Sequence, residues 1–584
     1  MTHTPLTRHT RNGPTGDRPG ARLRGLIGRR PAAGAVIAAC AAVAFFLRAY
    51  QLTRPGCLFG VTEYDDGVLF GNALRLVAGV IPYRDFSMVQ PPGGMLLMVP
   101  AALLAKAAGT AWGLATARLL TVGADTANVV LLGLLVRRRG PLAAAVACGL
   151  YAVYPDAIIA AHTFLLEPWL NLFCLAGAVA IFDRNRLAGS APRWSDRTGL
   201  LGGGLLFGFA VAIKIWALLP LAIAALLLLV AARRIRPAAT LSAGAAIGLG
   251  VPLLPFALLA PTALARGVLI GQLVRNASGS RHRPQRLADL AGLGLHPFWP
   301  HERLLLVVIM AALIGCCAAA YLPATRPPRG LLLGRMPRAL GTRALDGDRF
   351  DARALDARAL DARALDAYAL DAYSVACAMA VTTMLLWPRL YYTHYGAFDA
   401  PFLALASALP VARLTARSRR TARPTMLQAT VAAATLLLII GLGYRQFRAE
   451  APLRGVQVSA AADRLIPAGA CVVSNGAAFT VAADRFYSDV PGCPAVVDPL
   501  GTMIAMTSGR YLDDTPAQLR PVVALWQTAL DRAQYVWLTS GTFEEIPWNR
   551  PLNGYFTHHF RLIGLAGDPT GHRYVPAAGL YART

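Results

Sequence analysis

Apolar runs of roughly 16 to 24 residues, closed at their ends by tufts of arginine, recur between about residues 31 and 443. About 20 residues of helix cross the hydrocarbon of a bilayer, and a lipid-exposed backbone must satisfy its own polar groups. The runs are continuous rather than alternating, so each is read as a helix, about 11 to 13 in all. Composition agrees: 55% of the 584 residues are hydrophobic, 15% are charged and mean hydropathy is +0.47. That balance excludes an ordinary soluble domain and makes the lipid bilayer the first partner.

The formal net charge of +26 does not point to nucleic acid. The arginines sit in tufts between apolar runs, without one basic face or interleaved aromatics, so positive-inside topology explains them. Residues 1–30 read as a disordered basic cytoplasmic leader, followed by a retained first helix rather than a cleaved signal. If the tufts Arg137 to Arg139, Arg233 to Arg236 and Arg413 to Arg423 face the cytoplasm, the stretches between them form outward hairpins.

The expected division is a transmembrane core over 31–323 with a first outer loop at 51–92, a cytoplasmic linker at 324–372, further transmembrane helices at 373–443 and an extracytoplasmic domain at 444–584. Two apolar runs, 93–108 and 112–136, fall where parity allows one crossing: either the first, which is short and contains Pro100, is re-entrant, or Arg137 to Arg139 breaks the positive-inside rule. Residues 343–373 repeat Ala-Leu-Asp-Ala-Arg or -Tyr every five residues. Leucines at that period form no single helical face, so a low-complexity linker, helical at best in part, is expected.

After residue 444, strand-like runs (471–475, 535–540, 560–566, 579–583) alternate with helical stretches at 457–466 and 516–532. A small α/β domain follows. Cys471 and Cys493 lie in this part and form a disulfide if it faces an oxidising compartment.

Candidate chemistry gathers in residues 61–94, where Asp65, Asp66 and Asp85 stand between membrane-length runs. One aspartate caps a helix; two, with Glu63 beside them, exceed that need. Gln90 precedes Pro91, Pro92 and Gly93 at the turn into the next run. Arg118, within an apolar run, requires a partner or a cavity. Lys214 is one of only two lysines among 57 basic residues and stands at the turn of a hairpin. Glu167, followed by Pro168, suits a helix cap or a partner for such a cation. Arginines at 266, 275, 281, 283 and 286 run against the positive-inside trend and suit a phosphate. Tyr391, Tyr392, His394 and Tyr395 suit sugar stacking or an interfacial belt.

This order of motifs resembles the GT-C superfamily of polyprenyl-phosphate-sugar glycosyltransferases, most nearly protein O-mannosyltransferases and lipid A aminoarabinose transferases. The resemblance rests on Asp65-Asp66, Asp85 before Gln90-Pro91-Pro92-Gly93, Arg118, Glu167-Pro168 and Lys214, and covers about residues 55–232. Gln90 departs from the histidine common in O-mannosyltransferases. The resemblance implies a multi-pass plasma-membrane enzyme with its active site outside the cytoplasm. Its partners would be a polyprenyl-phosphate-linked sugar and a glycan, glycolipid or protein acceptor. Asp65 would be the general base, with Asp66 second, and Asp85, Gln90, Arg118, Glu167, Lys214 and Arg275 would bind substrate. No metal is expected to be required, with a divalent cation on the Glu63 to Asp66 carboxylates as the alternative. A transporter or lipid flippase and a non-catalytic envelope scaffold are the rival readings; no internal repeat of the spans supports the former.

Overall fold

The computed structural model describes residues 29–182, 197–232, 235–273, 283–292, 352–387, 391–418, 425–507, 515–539, 546–566 and 578–584. The leader up to residue 28, Arg275 and the apolar run that ends near 323 lie outside the described residues.

The protein is a polytopic helical membrane protein carrying a small C-terminal α/β domain. Six described helices have the length and apolarity to cross a membrane: Ala32–Leu52, Thr110–Arg139, Ile235–Leu259, Ala369–Leu386, Thr393–Ala412 and Ala429–Glu450. Shorter apolar helices pack among them, including Leu166–Phe182 and Arg197–Ile213. The contested stretch after residue 92 breaks into Gly93–Leu97 and Val99–Ala108, with Pro100 in the first turn of the second. At 1.5 Å per residue the latter reaches only about 15 Å, half a crossing.

Arg197–Ile213 and Ile235–Leu259 pack backbone to backbone. Gly204 and Gly208 on one face Gly244 and Gly248 on the other, and a Cβ at any of the four would stand 2.1 to 2.3 Å from an opposing carbonyl oxygen. Small residues four apart are what such close helix contact in lipid requires. From residue 352 on, the five-residue repeat belongs to one long helix, Ala352–Leu386, that runs on into a span; residues 324–351 of the expected linker lie outside the described residues. Alanine, leucine and arginine carry enough intrinsic propensity to build helix without an apolar face.

In the C-terminal domain four strands, β1 (Val472–Ser474), β2 (Tyr535–Thr539), β3 (Phe560–Ala566) and β4 (Ala578–Arg583), form a sheet of order β1-β2-β4-β3. Only the β1–β2 pair is parallel, and helices cross over between those two strands. The strands fall where the alternating runs placed them, as do helices Ser459–Leu465 and Pro516–Arg532. Neighbouring residues of β2 serve opposite faces: Val536 packs with Trp526 and Leu552, Trp537 with Phe479 and Leu580. Cys471 and Cys493 are joined by a disulfide, their Cα atoms 5.5 Å apart.

The domain is locked to the first loop and to the helix that follows it, Asp65–Val77. Val61 and Val456 exchange backbone hydrogen bonds at 2.9 and 2.8 Å, and Val61 is buried in the domain's own apolar cluster. A Cβ at Gly67 would stand 2.1 Å from the Ala478 nitrogen. Asp484, in the left-handed conformation at φ 54°, accepts from the Ala111 amide at 2.9 Å and so caps the helix Thr110–Val136. Gly67→Val is expected to separate this junction and to destabilise the protein by about 1–3 kcal/mol, as overpacked contacts do. Thermal unfolding in detergent checks it; an unchanged midpoint would show that the contact yields without cost.

Candidate active site

The helix Asp65–Val77 begins with the tandem acids, and its two carboxylates go to different places. Asp66 is fully buried and paired with Arg118 Nη2 at 2.6 Å, and it accepts the hydroxyl of Thr163. Arg118 also donates to the carbonyls of Cys57, Leu58 and Gly60 at 2.8, 2.8 and 2.9 Å, and its Nε donates to Thr163 Oγ1 at 3.0 Å. The intramembrane arginine thus organises the loop before the acids. Asp65 keeps 38% of its side-chain surface exposed and faces a cavity, with His394 Nε2 3.8 Å from its carboxylate.

The cavity lies where the first loop, the membrane helices and the C-terminal domain meet. Asp65, Asn72, Gln90, Glu167, Lys214 and Asp498 supply its charged and amide groups. Val68, Leu69, Val89, Leu165, Leu166 and Leu500 supply apolar surface between them. Lys214 occupies a break: the helix Arg197–Ile213 ends before it, its own backbone is extended, and a short 3-10 turn over 215–217 leads to the helix Leu218–Ala232. There Nζ donates to Glu167 at 2.6 Å and lies 3.5 Å and 4.3 Å from the ring centres of Trp216 and Tyr395. Both members of the pair are nearly excluded from solvent. Charge pairing and two aromatic faces hold the ammonium in a place where an unpaired one would be too costly.

Asp85 is not part of the cavity lining. It closes a turn, accepting from the Ile81 amide at 2.7 Å and from Arg84 at 2.8 and 2.9 Å, and the Arg84 bond holds its carboxyl below the usual range. That turn presents Gln90, whose carbonyl accepts the Tyr83 hydroxyl at 2.5 Å. Arg286, from the basic stretch, is buried and packs on the Tyr391 ring at 5.2 Å. His394 and Tyr395 line the cavity. Asn72 and Asp498 carried no signal in the sequence. Arg48 and Asp125, a buried ion pair joined by Asn128 and Tyr151, were detectable by the rule that singled out Arg118. Among the described residues no group of three or more His, Cys, Asp or Glu is arranged to hold a metal ion.

No protein-family profile matches the sequence, and no curated protein matches it. Solved structures do. ArnT from Cupriavidus metallidurans in the apo state has a TM-score of 0.52 at 12% identity, covering 96% of this chain and 98% of that one. The same protein bound to undecaprenyl phosphate gives 0.49 at 12% identity, over 94% and 97%. The archaeal oligosaccharyltransferase AglB from Archaeoglobus fulgidus, in complex with an inhibitory peptide and a dolichol-phosphate, gives 0.48 at 13% identity, over 87% and 69%. The chain shares its fold with ArnT.

The two acids should separate in stability measurements. Asp66→Asn breaks a buried ion pair and is expected to cost about 3–5 kcal/mol. Asp65→Asn is expected to cost less than about 1 kcal/mol, a helix-start charge effect. Equal losses in thermal unfolding of the purified protein would contradict this division.

Glu63 offers a test by pH. Burial, and then the nearby charge of Asp65, push its carboxyl up from 4.5 to about 8. The folded protein therefore holds a proton that the unfolded chain releases near 4.5, so this group's contribution to stability falls as pH rises from about 4.5 to about 8. Glu63→Gln is expected to gain stability over the wild type progressively across that window and to hold the gain above it. A pH-independent difference between the two melting curves would refute the assignment.

Proposed function

We propose that this protein transfers a sugar from a polyprenyl-phosphate donor to a hydroxyl of an extracytoplasmic acceptor, a glycan, glycolipid or protein of the cell envelope. The observation that carries the reading is the presence in one cavity of a partly exposed carboxylate, Asp65, and a buried, ion-paired ammonium, Lys214. The GT-C fold supports it.

In this mechanism the acceptor oxygen attacks the anomeric carbon and gives its proton to Asp65 as the bond between that carbon and the phosphate oxygen breaks. A positioned carboxylate contributes roughly 10²- to 10⁴-fold in such a step. Asp66 is the weaker candidate for this role, because Arg118 and Thr163 already engage its carboxylate. The departing polyprenyl phosphate gains charge beside Lys214, where Glu167, Trp216 and Tyr395 hold the ammonium in position before the reaction. Gln90 lies within the same cavity, and Asp85 supports it through the turn.

Membranes expressing the wild type, offered radiolabelled polyprenyl-phosphate sugars and an envelope extract, are expected to move label into polymer, lipid or protein. Asp65→Asn at equal expression should lower that transfer by at least about a hundredfold. Wild-type membranes that transfer from no donor would return the assignment to a flippase or scaffold.

A further inference from the structure

The helix Asp65–Val77 carries two separate stripes. Asp65, Val68, Leu69 and Asn72 line the cavity, whereas Gly67, Gly71, Leu74 and Arg75 meet the C-terminal domain. At about 100° per residue the second stripe lies more than a right angle round the helix from the first. The domain thus backs the helix from behind the face that presents Asp65.

Most of that backing comes from one stretch of chain, and a covalent bond closes the stretch into a ring. Between Cys471 and Cys493 the chain runs through β1 and the helix Ala477–Ala482, then takes no further helix or strand as far as residue 493. Gly67 lies against the Ala478 backbone, and a Cβ at Gly71 would stand 3.2 Å from Phe486 Cζ. The Arg75 guanidinium sits 4.5 Å from the centre of the Phe486 ring, and the Tyr487 hydroxyl donates to the Leu74 carbonyl at 3.2 Å. Just past Cys493, Val497 packs on Gly71 and the Pro494 carbonyl accepts from Arg75 at 3.5 Å. The same ring holds the span that supplies Arg118: the Thr110 hydroxyl donates to the Val481 carbonyl at 2.6 Å, and the Ala111 amide to Asp484 at 2.9 Å. Besides the disulfide, individual hydrogen bonds tie residues 483–493 to the rest of the domain. Among them are the Asp489 amide to the Gly469 carbonyl at 2.8 Å and Arg485 Nε to the Ile466 carbonyl at 3.0 Å. Water competes for each of these, and it does not compete for the covalent link.

We propose that the Cys471–Cys493 disulfide is a positioning device for Asp65: by closing this ring behind the acidic helix, it makes sugar transfer depend on the oxidised bond. The proposal rests on the glycosyltransferase reading above and adds a redox condition to it. A dithiol reductant converts the disulfide to two cysteine thiols and becomes a disulfide itself, and the ring opens. The Asp66–Arg118 pair still fastens the first turn of the helix, so what is lost is placement rather than fold. A chain whose ring has not closed carries its acids without fixing them.

The test uses the purified full-length protein, oxidised, reduced with a dithiol and confirmed by thiol counting, and as the double variant Cys471→Ser with Cys493→Ser. Amide exchange of residues 65–77 is expected to quicken at least about tenfold in both open-ring forms, while the span Ile235–Leu259 stays within about twofold of the oxidised protein. Transfer, per folded molecule and with the donor that the wild type uses, should fall at least about tenfold in kcat with little change in donor KM, as a displaced reacting group predicts. Reoxidation of the reduced wild type should restore it. In Asp65→Asn, opening the ring should change the residual transfer by less than about twofold, because the device acts through that carboxylate. Unchanged exchange and transfer after complete reduction would overturn the proposal. So would equal losses with and without Asp65, or exchange that quickens in every span alike, since those mark a bond that only stabilises the fold. A wild type that transfers from no donor would sink the transferase reading, and the exchange comparison would still decide whether the ring holds the helix.

Discussion

A guanidinium buried within an apolar helix is tolerable only when its donors are satisfied, and Arg118 meets that condition with acceptors from three separate stretches. The loop before the acidic helix, the helix itself and the turn carrying Thr163 are thereby fastened to one span. The tandem acids take their distinct roles from the same bond. Consecutive helical residues point about 100° apart, so with Asp66 turned to Arg118, Asp65 must face elsewhere, and the direction left to it is the cavity. One acid is taken up by the architecture, and its neighbour lines the cavity.

The C-terminal domain rests on that frame. Val61 reaches into the domain's core, Gly67 admits Ala478 at backbone distance, and Asp484 caps a membrane helix. None of these contacts is a flexible tether. The domain therefore contributes Asp498 and Leu500 to the cavity from a fixed position. Geometry at a site built this way depends on packing between elements distant in sequence, which accounts for glycine at positions where any Cβ would intrude.

The membrane helices were legible because lipid imposes a length and a composition that sequence displays directly. The strands were legible because short runs rich in β-branched and aromatic residues, set between turn residues, mark them. Glu167 and Lys214 stood out for a related reason, being ionisable groups where burial is costly, and Asp65 through its tandem with Asp66. Asn72 and Asp498 did not, because an asparagine within an amphipathic helix and an aspartate before a proline are ordinary residues until folding brings them to one wall. Asp85 shows the converse: an acid in the right stretch whose carboxylate serves a local turn, which spacing alone cannot distinguish. The five-residue repeat has no apolar face in sequence, and from Ala352 on its helix draws on propensity instead as it continues into a span.

Lys214 joins these strands of argument. Its helix breaks ahead of Pro220, which has no N–H for the Trp216 carbonyl and so favours an interruption there. Partners gather around the ammonium in that break: Glu167 at the start of one helix, Trp216 two residues on and Tyr395 at the start of another. A compact point charge fits between two rings and a carboxylate; a planar guanidinium needs a different fork of acceptors. In a chain that otherwise uses arginine almost throughout, lysine stands at the cavity position where charge must be both concentrated and enclosed. The carboxylate that neutralises it there offsets the cost of its burial, and the buried pair beside a partly exposed Asp65 is the electrostatic contrast on which the cavity is built.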